Sequence, residues 1–374
     1  MKNLFLLFLV FLTASILQAQ TPTAEIYNPP IPFVQNISEW GTDLLVSPSE
    51  PFGKHSAVYR SSNNAIYVAI PDTNILAGKS IVVLMSTNNG TNWSITGSIT
   101  PATIVPKTKL VGREDSIYCF FDFGATIYTW NIINNNLYPF TTYTGIRDFD
   151  AVISSTKSIY LIIDLQVNRD IRFYGSTTGG QTWAGAVFLT STGAHPRFYM
   201  SGTGDTAMIN YYGVSITADT ISSAIRSVRY RESAPGTLVI AGSFSTPIAG
   251  GVPKSQFQGV MNCGKAWLFY TTGLTGDIDL NCMVSADNGV TFGAPFTIGA
   301  LPSRDEYWFD AKHYSVGVDL TYYSDTLQAG PATAQTDKLF YSYSHYSTPE
   351  SFSTPNAFSQ KPPCWSDRGY IPTL

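Results

Sequence analysis

Ser86-Thr-Asn-Asn-Gly-Thr-Asn-Trp93, Ser176-Thr-Thr-Gly-Gly-Gln-Thr-Trp183 and Ser285-Ala-Asp-Asn-Gly-Val-Thr-Phe292 share one design. Each copy follows a short alternating stretch that is typical of a β-strand. The shared glycine tolerates the positive φ that a tight turn requires. The first serine and the third residue can accept hydrogen bonds from turn amides, while the last aromatic ring folds back and becomes buried. The design predicts a structural turn between two strands, and nothing in it requires catalysis.

These three turns belong to a longer repeat. Their strands begin at residues 81, 171 and 280, and degenerate strand-and-turn copies begin at 127, 225 and 339, so successive starts lie 44 to 59 residues apart. The degenerate strands are Ile127–Ile132, Ile225–Tyr230 and Leu339–Tyr343. A blade of four short strands has about this period. We therefore predict an all-β fold, a six-bladed β-propeller with four-stranded antiparallel blades.

Both ends of the chain continue this pattern incompletely. Trp40–Val46 resembles the outer strand of a blade but lacks preceding strands, so we assign it to the last blade. Ser366–Leu374 resembles the opening of a further blade. Our hypothesis is a seven-bladed propeller whose sequence is truncated at Leu374. Six blades with a small closing segment are the alternative.

The Ser-x-Asp-x-Gly-x-Thr-Trp pattern resembles the Asp box, or bacterial neuraminidase repeat, of sialidase-like β-propellers. Asp287 keeps the aspartate of that family, whereas Asn88 and Thr178 replace it. The resemblance covers roughly residues 40–370 and implies that each box joins the third and fourth strands of a blade, away from the active site. The structural residues that it assigns are Ser86, Gly90, Trp93, Ser176, Gly180, Trp183, Ser285, Asp287, Gly289 and Phe292.

The N-terminus has the pattern of a signal peptide. Lys2 precedes the apolar run Leu4–Leu12, and Ala19 offers a small residue for cleavage. We divide the chain into a signal peptide (1–19), an N-terminal lead-in (20–38) and a propeller (39–374). A bacterial protein that is secreted or held at the cell surface is expected, without insertion into the membrane.

Composition excludes several classes of protein. Charged residues make up 13% of the 374 residues, aromatic residues 14%, and the net charge is −4. A disordered chain has lower hydrophobicity and higher net charge than this one. A nucleic-acid-binding surface needs a block of lysine and arginine, and this sequence contains none. No metal-ligand spacing and no cofactor motif occur.

Four cysteines are present: Cys119, Cys263, Cys282 and Cys364. An exported protein can form disulfides, and Cys263 with Cys282 is the first pair to expect because both fall in one repeat. Four buried thiols are the alternative.

Basic residues recur where the innermost strand of each blade begins: Lys54, His55, Lys107, Lys109, Arg147, His195, Arg197, Lys254, Arg304 and Arg368. A ring of such side chains would concentrate positive potential at one mouth of the channel, and arginines there could bind a carboxylate or sulfate. The candidate ligand-binding residues are Arg147, Arg197, Arg304, Arg368, Lys254 and His195. The alternative is simple pairing with the neighbouring acids Asp148, Asp305, Glu306 and Asp367.

The resemblance also implies catalytic candidates. Sialidases clamp the substrate carboxylate with three arginines, which would be Arg147, Arg197 and Arg304 here. They also use an acid/base, which would be Asp148, and a tyrosine nucleophile paired with a glutamate, which would be Tyr307 with Glu306. The chain lacks the Arg-Ile-Pro motif of the family near its mature N-terminus.

Binding is therefore favoured over catalysis, with a glycan, an anionic one if the basic ring forms, or a cell-surface protein as the partner. An exo-glycosidase of sialidase type is the first alternative. A structural or adhesive module of a larger cell-surface protein is the second.

Overall fold

The computed structural model describes residues 21–33, 56–71, 76–100, 107–123, 126–141, 143, 145–165, 169–191, 193–213, 224–242, 245–248, 257–274, 277–299, 305–325 and 338–360. Apart from one 3-10 turn at Ser61–Asn63, the regular elements in these ranges are β-strands. They form sheets in which four consecutive strands pair antiparallel. We call each set of four a blade and name its strands from inner to outer.

The first half of the described chain contains one added strand and three blades. The added strand is β1 (Thr23–Phe33). Blade 1 comprises β2 (Ser56–Arg60), β3 (Ala65–Ile70), β4 (Ile81–Ser86) and β5 (Trp93–Thr100). Blade 2 comprises β6 (Thr108–Arg113), β7 (Ser116–Phe123), β8 (Thr126–Asn131) and β9 (Asn136–Phe140). Blade 3 comprises β10 (Ile146–Ile153), β11 (Ile159–Leu165), β12 (Ile171–Ser176) and β13 (Val187–Thr190).

Three more blades follow. Blade 4 comprises β14 (Gly193–Met200), β15 (Thr206–Gly213), β16 (Ala224–Ala234) and β17 (Thr237–Ile240), and β18 (Ser245–Ile248) also pairs with β16. Blade 5 comprises β19 (Phe257–Asn262), β20 (Lys265–Leu274), β21 (Asp277–Ser285) and β22 (Phe296–Gly299). Blade 6 comprises β23 (Asp305–Tyr314), β24 (Gly317–Asp325), β25 (Lys338–His345) and β26 (Asn356–Gln360).

The cores lie between neighbouring blades. Phe120 of blade 2 packs with Phe149 and Leu161 of blade 3, and all three side chains are buried. Phe173 of blade 3 packs likewise on Phe198 of blade 4, with ring centroids 6.1 Å apart. Because a second strand is covered on both faces, it loses the alternation of a half-exposed strand: every residue of β11 is buried. Each such aromatic or aliphatic side chain contributes about 1.5–3 kcal/mol through burial.

The inner strands lie side by side. Contacts join β2 to β6, β6 to β10, β10 to β14, β14 to β19, and β19 to β23. A single parallel pairing, Ile278 with Asp305, also links blades 5 and 6. An all-β chain of successive four-stranded antiparallel sheets, packed through their inner strands, fits a β-propeller.

The repeat predicted from sequence locates the third strand of each described blade. The observed β4, β8, β12, β16, β21 and β25 overlap all six predicted strands. The three turns of the shared design connect β4 to β5, β12 to β13, and β21 to β22. The degenerate turns fall at the corresponding places of the other three blades. The local rules for strands and turns were therefore sufficient to set the period.

The expected pairing of Cys263 with Cys282 is wrong. Both thiols are free, with Cys263 exposed in the turn after β19 and Cys282 buried on β21. Cys282 lies opposite Phe269, six positions beyond Cys263 along the neighbouring strand. Because Cys263 lies in the turn, the four steps from Lys265 to Phe269 set the separation, and at about 3.3 Å per residue they span roughly 13 Å, beyond the ~7 Å Cα separation that a disulfide tolerates.

The lead-in contains a strand that the sequence did not reveal. β1 pairs antiparallel with β5 from Thr23 opposite Thr100 to Phe33 opposite Trp93, which gives blade 1 a fifth, outer strand. Lys79 and Glu25 fasten it with an ion pair of 2.6 Å. The signal peptide, Trp40–Val46, Cys364 and Ser366–Leu374 lie outside the described residues, so the predictions on export, ring closure and truncation stay predictions.

Candidate binding site at the channel mouth

The inner strands all begin at one end of the channel, which we call the mouth, and end at the opposite turn end. Lys107 precedes β6, Arg147 and Asp148 open β10, and His195 and Arg197 lie early in β14. The mouth of blades 2, 3 and 4 therefore carries five of the ten basic side chains that the sequence singled out. Antiparallel pairing places the turns of the shared design at the turn end, opposite this site.

Asp148 is the centre of the mouth. Its Oδ2 accepts hydrogen bonds from Arg197 Nη1 at 2.9 Å and lies 3.0 Å from His195 Nδ1. Its Oδ1 pairs with Lys107 Nζ, which also donates to the Phe149 carbonyl at 2.6 Å. The Asp148 carboxylate of blade 3 thus contacts basic side chains of both neighbouring blades, 2 and 4.

The charge state of Asp148 follows from these contacts. Burial alone would raise its pKa, but Arg197, Lys107 and the hydrogen bond from His195 hold the pKa of this carboxyl well below its usual range. Burial lowers the pKa of Lys107, and the nearby Arg197 adds to this, against the attraction of Asp148. Asp148 is therefore a permanent anion near neutral pH.

Two further carboxylates anchor the remaining cations. Lys109 Nζ lies 2.9 Å from Asp150, which also accepts from the Phe198 backbone N–H. Arg147 donates through Nε and Nη2 to Asp164 Oδ2, at 3.0 and 2.6 Å. The sequence argument missed Asp150 and Asp164. Alternation along β10 could have placed Asp150 beside Asp148, whereas Asp164 comes from the second strand and carries no local signal.

The charge and the exposure of these groups differ. A general acid must hold a proton, and Asp148 is ionised. Burial raises the pKa of Asp164, opposed by Arg147 and the His195 N–H, but its side chain has no exposed surface and cannot reach a substrate. The cations remain accessible: exposed side-chain fractions run from 22% for Arg197 to 40% for His195.

The other candidates have different outcomes. Glu306 is fully buried and accepts a hydrogen bond from Ser324 Oγ at 2.9 Å, while Asp305 accepts one from the Ile278 N–H at 3.0 Å. The side chain of Tyr307 lies outside the described residues. So do the remaining basic candidates, which are Lys54, His55, Lys254, Arg304 and Arg368.

The turns of the shared design have the hydrogen bonds that their residues predict. The serine Oγ accepts from the glycine N–H at 2.9 Å for Ser86, 3.0 Å for Ser176 and 2.7 Å for Ser285. The three glycines have φ of +83°, +93° and +88°. Burial alone would raise the pKa of Asp287, but bonds from Ser285, Thr291 and turn amides lower it to about 2. These residues stabilise turns and do not line the mouth.

A cavity of about 570 Å³ lies along the channel. Its lining comes from all described inner strands and includes Lys109, Gln258 and Tyr199. In the described chain, no group of three or more His, Cys, Asp or Glu side chains is placed to hold a metal ion. No helix among the described residues is long and apolar enough to cross a membrane.

No family model matches the chain, and no curated protein matches its sequence. Solved structures do resemble it. A hydrazine synthase of Kuenenia stuttgartiensis has 9% identity over 76% of this chain and 78% of that chain, with a TM-score of 0.51. The SapL1 lectin, in complex with alpha methyl fucoside, has 13% identity over 82% and 95%, with a TM-score of 0.47. A Trypanosoma rangeli sialidase mutant with trans-sialidase activity has 12% identity over 81% and 57%, with a TM-score of 0.45.

At sequence identities this low, similarity to a solved structure bears on the fold and does not indicate which ligand this chain binds. Sialidases and a lectin are among the similar structures.

Proposed function

We propose that this chain is an exported, non-catalytic propeller that binds an anionic glycan at the channel mouth. The observation that carries the proposal is the set of basic side chains from blades 2, 3 and 4. They are held in place by buried carboxylates and remain partly exposed: Lys107 by 26%, Lys109 by 30%, Arg147 by 28%, His195 by 40% and Arg197 by 22%.

The donors that remain available support this role. Within the described residues Arg197 uses Nη1 for Asp148 and for the Pro196 carbonyl, which leaves Nε and Nη2 for a ligand. His195 uses Nδ1 for Asp148 and keeps Nε2. Guanidinium and imidazole donors that are fixed in advance bind a carboxylate or sulfate at little entropic cost.

The ionised state of Asp148 argues against the alternative of an exo-sialidase. Export itself rests on residues 1–19 and is part of the proposal. A cell-surface protein as the partner, and an adhesive role within a longer protein, have no supporting contact in the described residues.

The test is calorimetric titration of the protein with 3′-sialyllactose, a sulfated lactose and neutral lactose, at low and high salt. We expect at least one anionic sugar to bind ten-fold or more tightly than lactose, with affinity that falls as salt rises. Arg147→Gln and His195→Gln should weaken that binding at least ten-fold. Lys157→Gln is the matched control, because Lys157 is an exposed cation of blade 3 that pairs with Asp115 at the turn end.

Equal affinity for all three sugars would refute the proposal. Release of sialic acid from 3′-sialyllactose during the titration would instead establish the glycosidase alternative.

A further inference from the structure

The turn end of the channel differs from the mouth because the basic side chains that line its cavity, Arg113, Lys312 and His313, have no carboxylate closer than 3.9 Å among the described residues. Arg113, the last residue of β6, donates through Nη2 to the Thr203 carbonyl of blade 4 at 3.2 Å. Its neighbours Glu114 and Asp115 instead pair with Lys157. In the described residues Arg113 forms no ion pair.

His313 of blade 6 reaches the same turn of blade 4 from the other side. A Cβ built on Gly202 would lie 3.4 Å from His313 Cδ2, and one built on Gly204 would lie 2.3 Å from Arg113 Nη1. Gly202 and Gly204 are two residues apart, at most about 7 Å, so His313 Cδ2 and Arg113 Nη1 lie within roughly 13 Å of each other. The turn leaves room for both because its glycines lack side chains.

Lys312 adds a third basic side chain. It is 43% exposed, and its carboxylate contact within the described residues is a long one, 3.9 Å to Asp310. Asp310 is engaged elsewhere, since it accepts from Gln258 Nε2 at 2.9 Å. The His313 side chain is exposed, but partial loss of water at the channel wall lowers its pKa, and the positive charges of Lys312 and Arg113 lower it further. Among the described residues no carboxylate pairs with this imidazole.

The cavity joins these groups. Arg113, Lys312 and His313 all line it, together with Lys109 further along the channel. No Asp or Glu is among the described residues of the lining, although acidic residues outnumber basic ones in the sequence, 26 against 22. Its volume of about 570 Å³ is typical of small-molecule sites, which span about 300–1,000 Å³.

We infer that the turn end of the channel is a second site, separate from the mouth, that binds an oxyanion group through Arg113, His313 and Lys312. The chemical class is a phosphate or sulfate, either free or carried on a small organic molecule that the cavity admits. Arginine and neutral imidazole donate hydrogen bonds to such oxygens, and lysine supplies charge.

The experiment is calorimetric titration of the protein with inorganic phosphate, inorganic sulfate and glucose 6-phosphate. We expect saturable binding of at least one probe, weakened ten-fold or more by Arg113→Gln and by His313→Gln. Binding should also raise the pKa of His313, followed by NMR of its imidazole. Glucose 6-phosphate binding ten-fold more tightly than phosphate would support an organic anion, and equal affinity would support a free ion.

Two controls keep this site distinct from the mouth. Arg231→Gln, at an exposed side chain of blade 4 outside the cavity lining, should bind the probe as wild type does, and Arg147→Gln should keep the binding that Arg113→Gln removes. Since Arg113→Gln could impair folding, His313→Gln and Lys312→Gln, at exposed side chains, provide independent variants. Absence of saturable binding by any probe would overturn the inference. So would binding that Arg147→Gln abolishes and Arg113→Gln spares, a result that places the anion at the mouth and leaves the proposed function intact.

Discussion

Arg197 and Asp148 connect blades 4 and 3 across the channel mouth, with Nη1 2.9 Å from Oδ2. Lys107 of blade 2 meets the same carboxylate. The mouth is thus held by ion pairs between neighbouring blades, in addition to the apolar contacts further out. A carboxylate shared by three basic side chains is costly to remove, because its loss leaves cations facing one another.

Asp148→Asn should destabilise the protein strongly. Breaking a buried ion pair costs about 3–5 kcal/mol, and the Asp148 side chain is only 9% exposed. The lowered pKa of Asp148 fixes the pH dependence: its contribution is present above the unfolded-state pKa of about 3.9 and is lost as pH falls towards the folded-state pKa. Urea unfolding at pH 7 and pH 3 measures both effects.

Asp115→Asn is the control, since that carboxylate is 61% exposed and pairs with the exposed Lys157. Its unfolding midpoint should stay close to wild type. A loss of stability for Asp148→Asn no larger than that of Asp115→Asn would contradict the central role of Asp148.

Gly180→Ala should cost more stability than Gly90→Ala. Both glycines occupy the same turn position with positive φ, so both substitutions pay about 1–2 kcal/mol for a left-handed backbone. A Cβ at Gly180 would also lie 2.8 Å from the Cβ of buried Thr129, whereas at Gly90 the nearest atom is 3.8 Å away. Overpacking should add about 1–3 kcal/mol at Gly180. Chemical denaturation of the two variants decides this, and equal losses would rule out the steric contribution.

Cys263 should be the reactive thiol among the described cysteines. It is exposed, whereas Cys119 and Cys282 are buried, and burial raises the pKa of both. In a Cys364→Ser background, Ellman's reagent should modify one thiol of the native protein and three after denaturation. Cys263→Ser should remove the native reaction. A native protein with no reactive thiol would indicate a disulfide that the fold described here does not contain.

His313 should make stability sensitive to mildly acidic pH. Its pKa is lowered in the folded protein, so between that value and the unfolded-state value of about 6.5 the unfolded chain binds the extra proton. Stability therefore falls as pH decreases through this window. The groups that act on the imidazole are Lys312 and Arg113, with Asn262 and Gly202 adjacent. In thermal unfolding from pH 8 to pH 5, His313→Gln should show a smaller decrease than wild type; an identical decrease would refute this origin.

Sequence reasoning succeeded where structure is local. Ser176 and Gly180 are four residues apart and form their turn from their own hydrogen bond, so the pattern alone locates the turn and the strand before it. The same local strand-and-turn pattern predicted the third strand of each of the six described blades. The sequence also predicted the basic residues at the start of the inner strands, because Arg147 lies in the first residues of β10 and His195 and Arg197 lie early in β14.

Partners across blades could not be predicted in this way. Arg197 and Asp148 are 49 residues apart, and Arg113 and Thr203 are 90 apart. Which carboxylate meets which cation depends on how adjacent blades pack, and no local pattern records that. The sequence offered a ring of free charges, with pairing to neighbouring acids such as Asp148 as the alternative. The described part of the mouth is a paired network around Asp148 that still exposes its basic side chains, and Asp150 and Asp164 are the partners that the sequence did not reveal.

The added strand β1 has a consequence for the behaviour of the chain in concentrated solution. Without it, the eight residues of β5 would form an open outer edge of blade 1, with unpaired N–H and C=O groups facing solvent. Open edges of this kind recruit strands from other molecules and seed aggregation. With β1 in place the outer edge of blade 1 is β1 itself, and that strand contains Pro29, Pro30 and Pro32. Because proline has no N–H to donate, this edge pairs poorly with a strand from another molecule and protects the protein against fibrillar self-association.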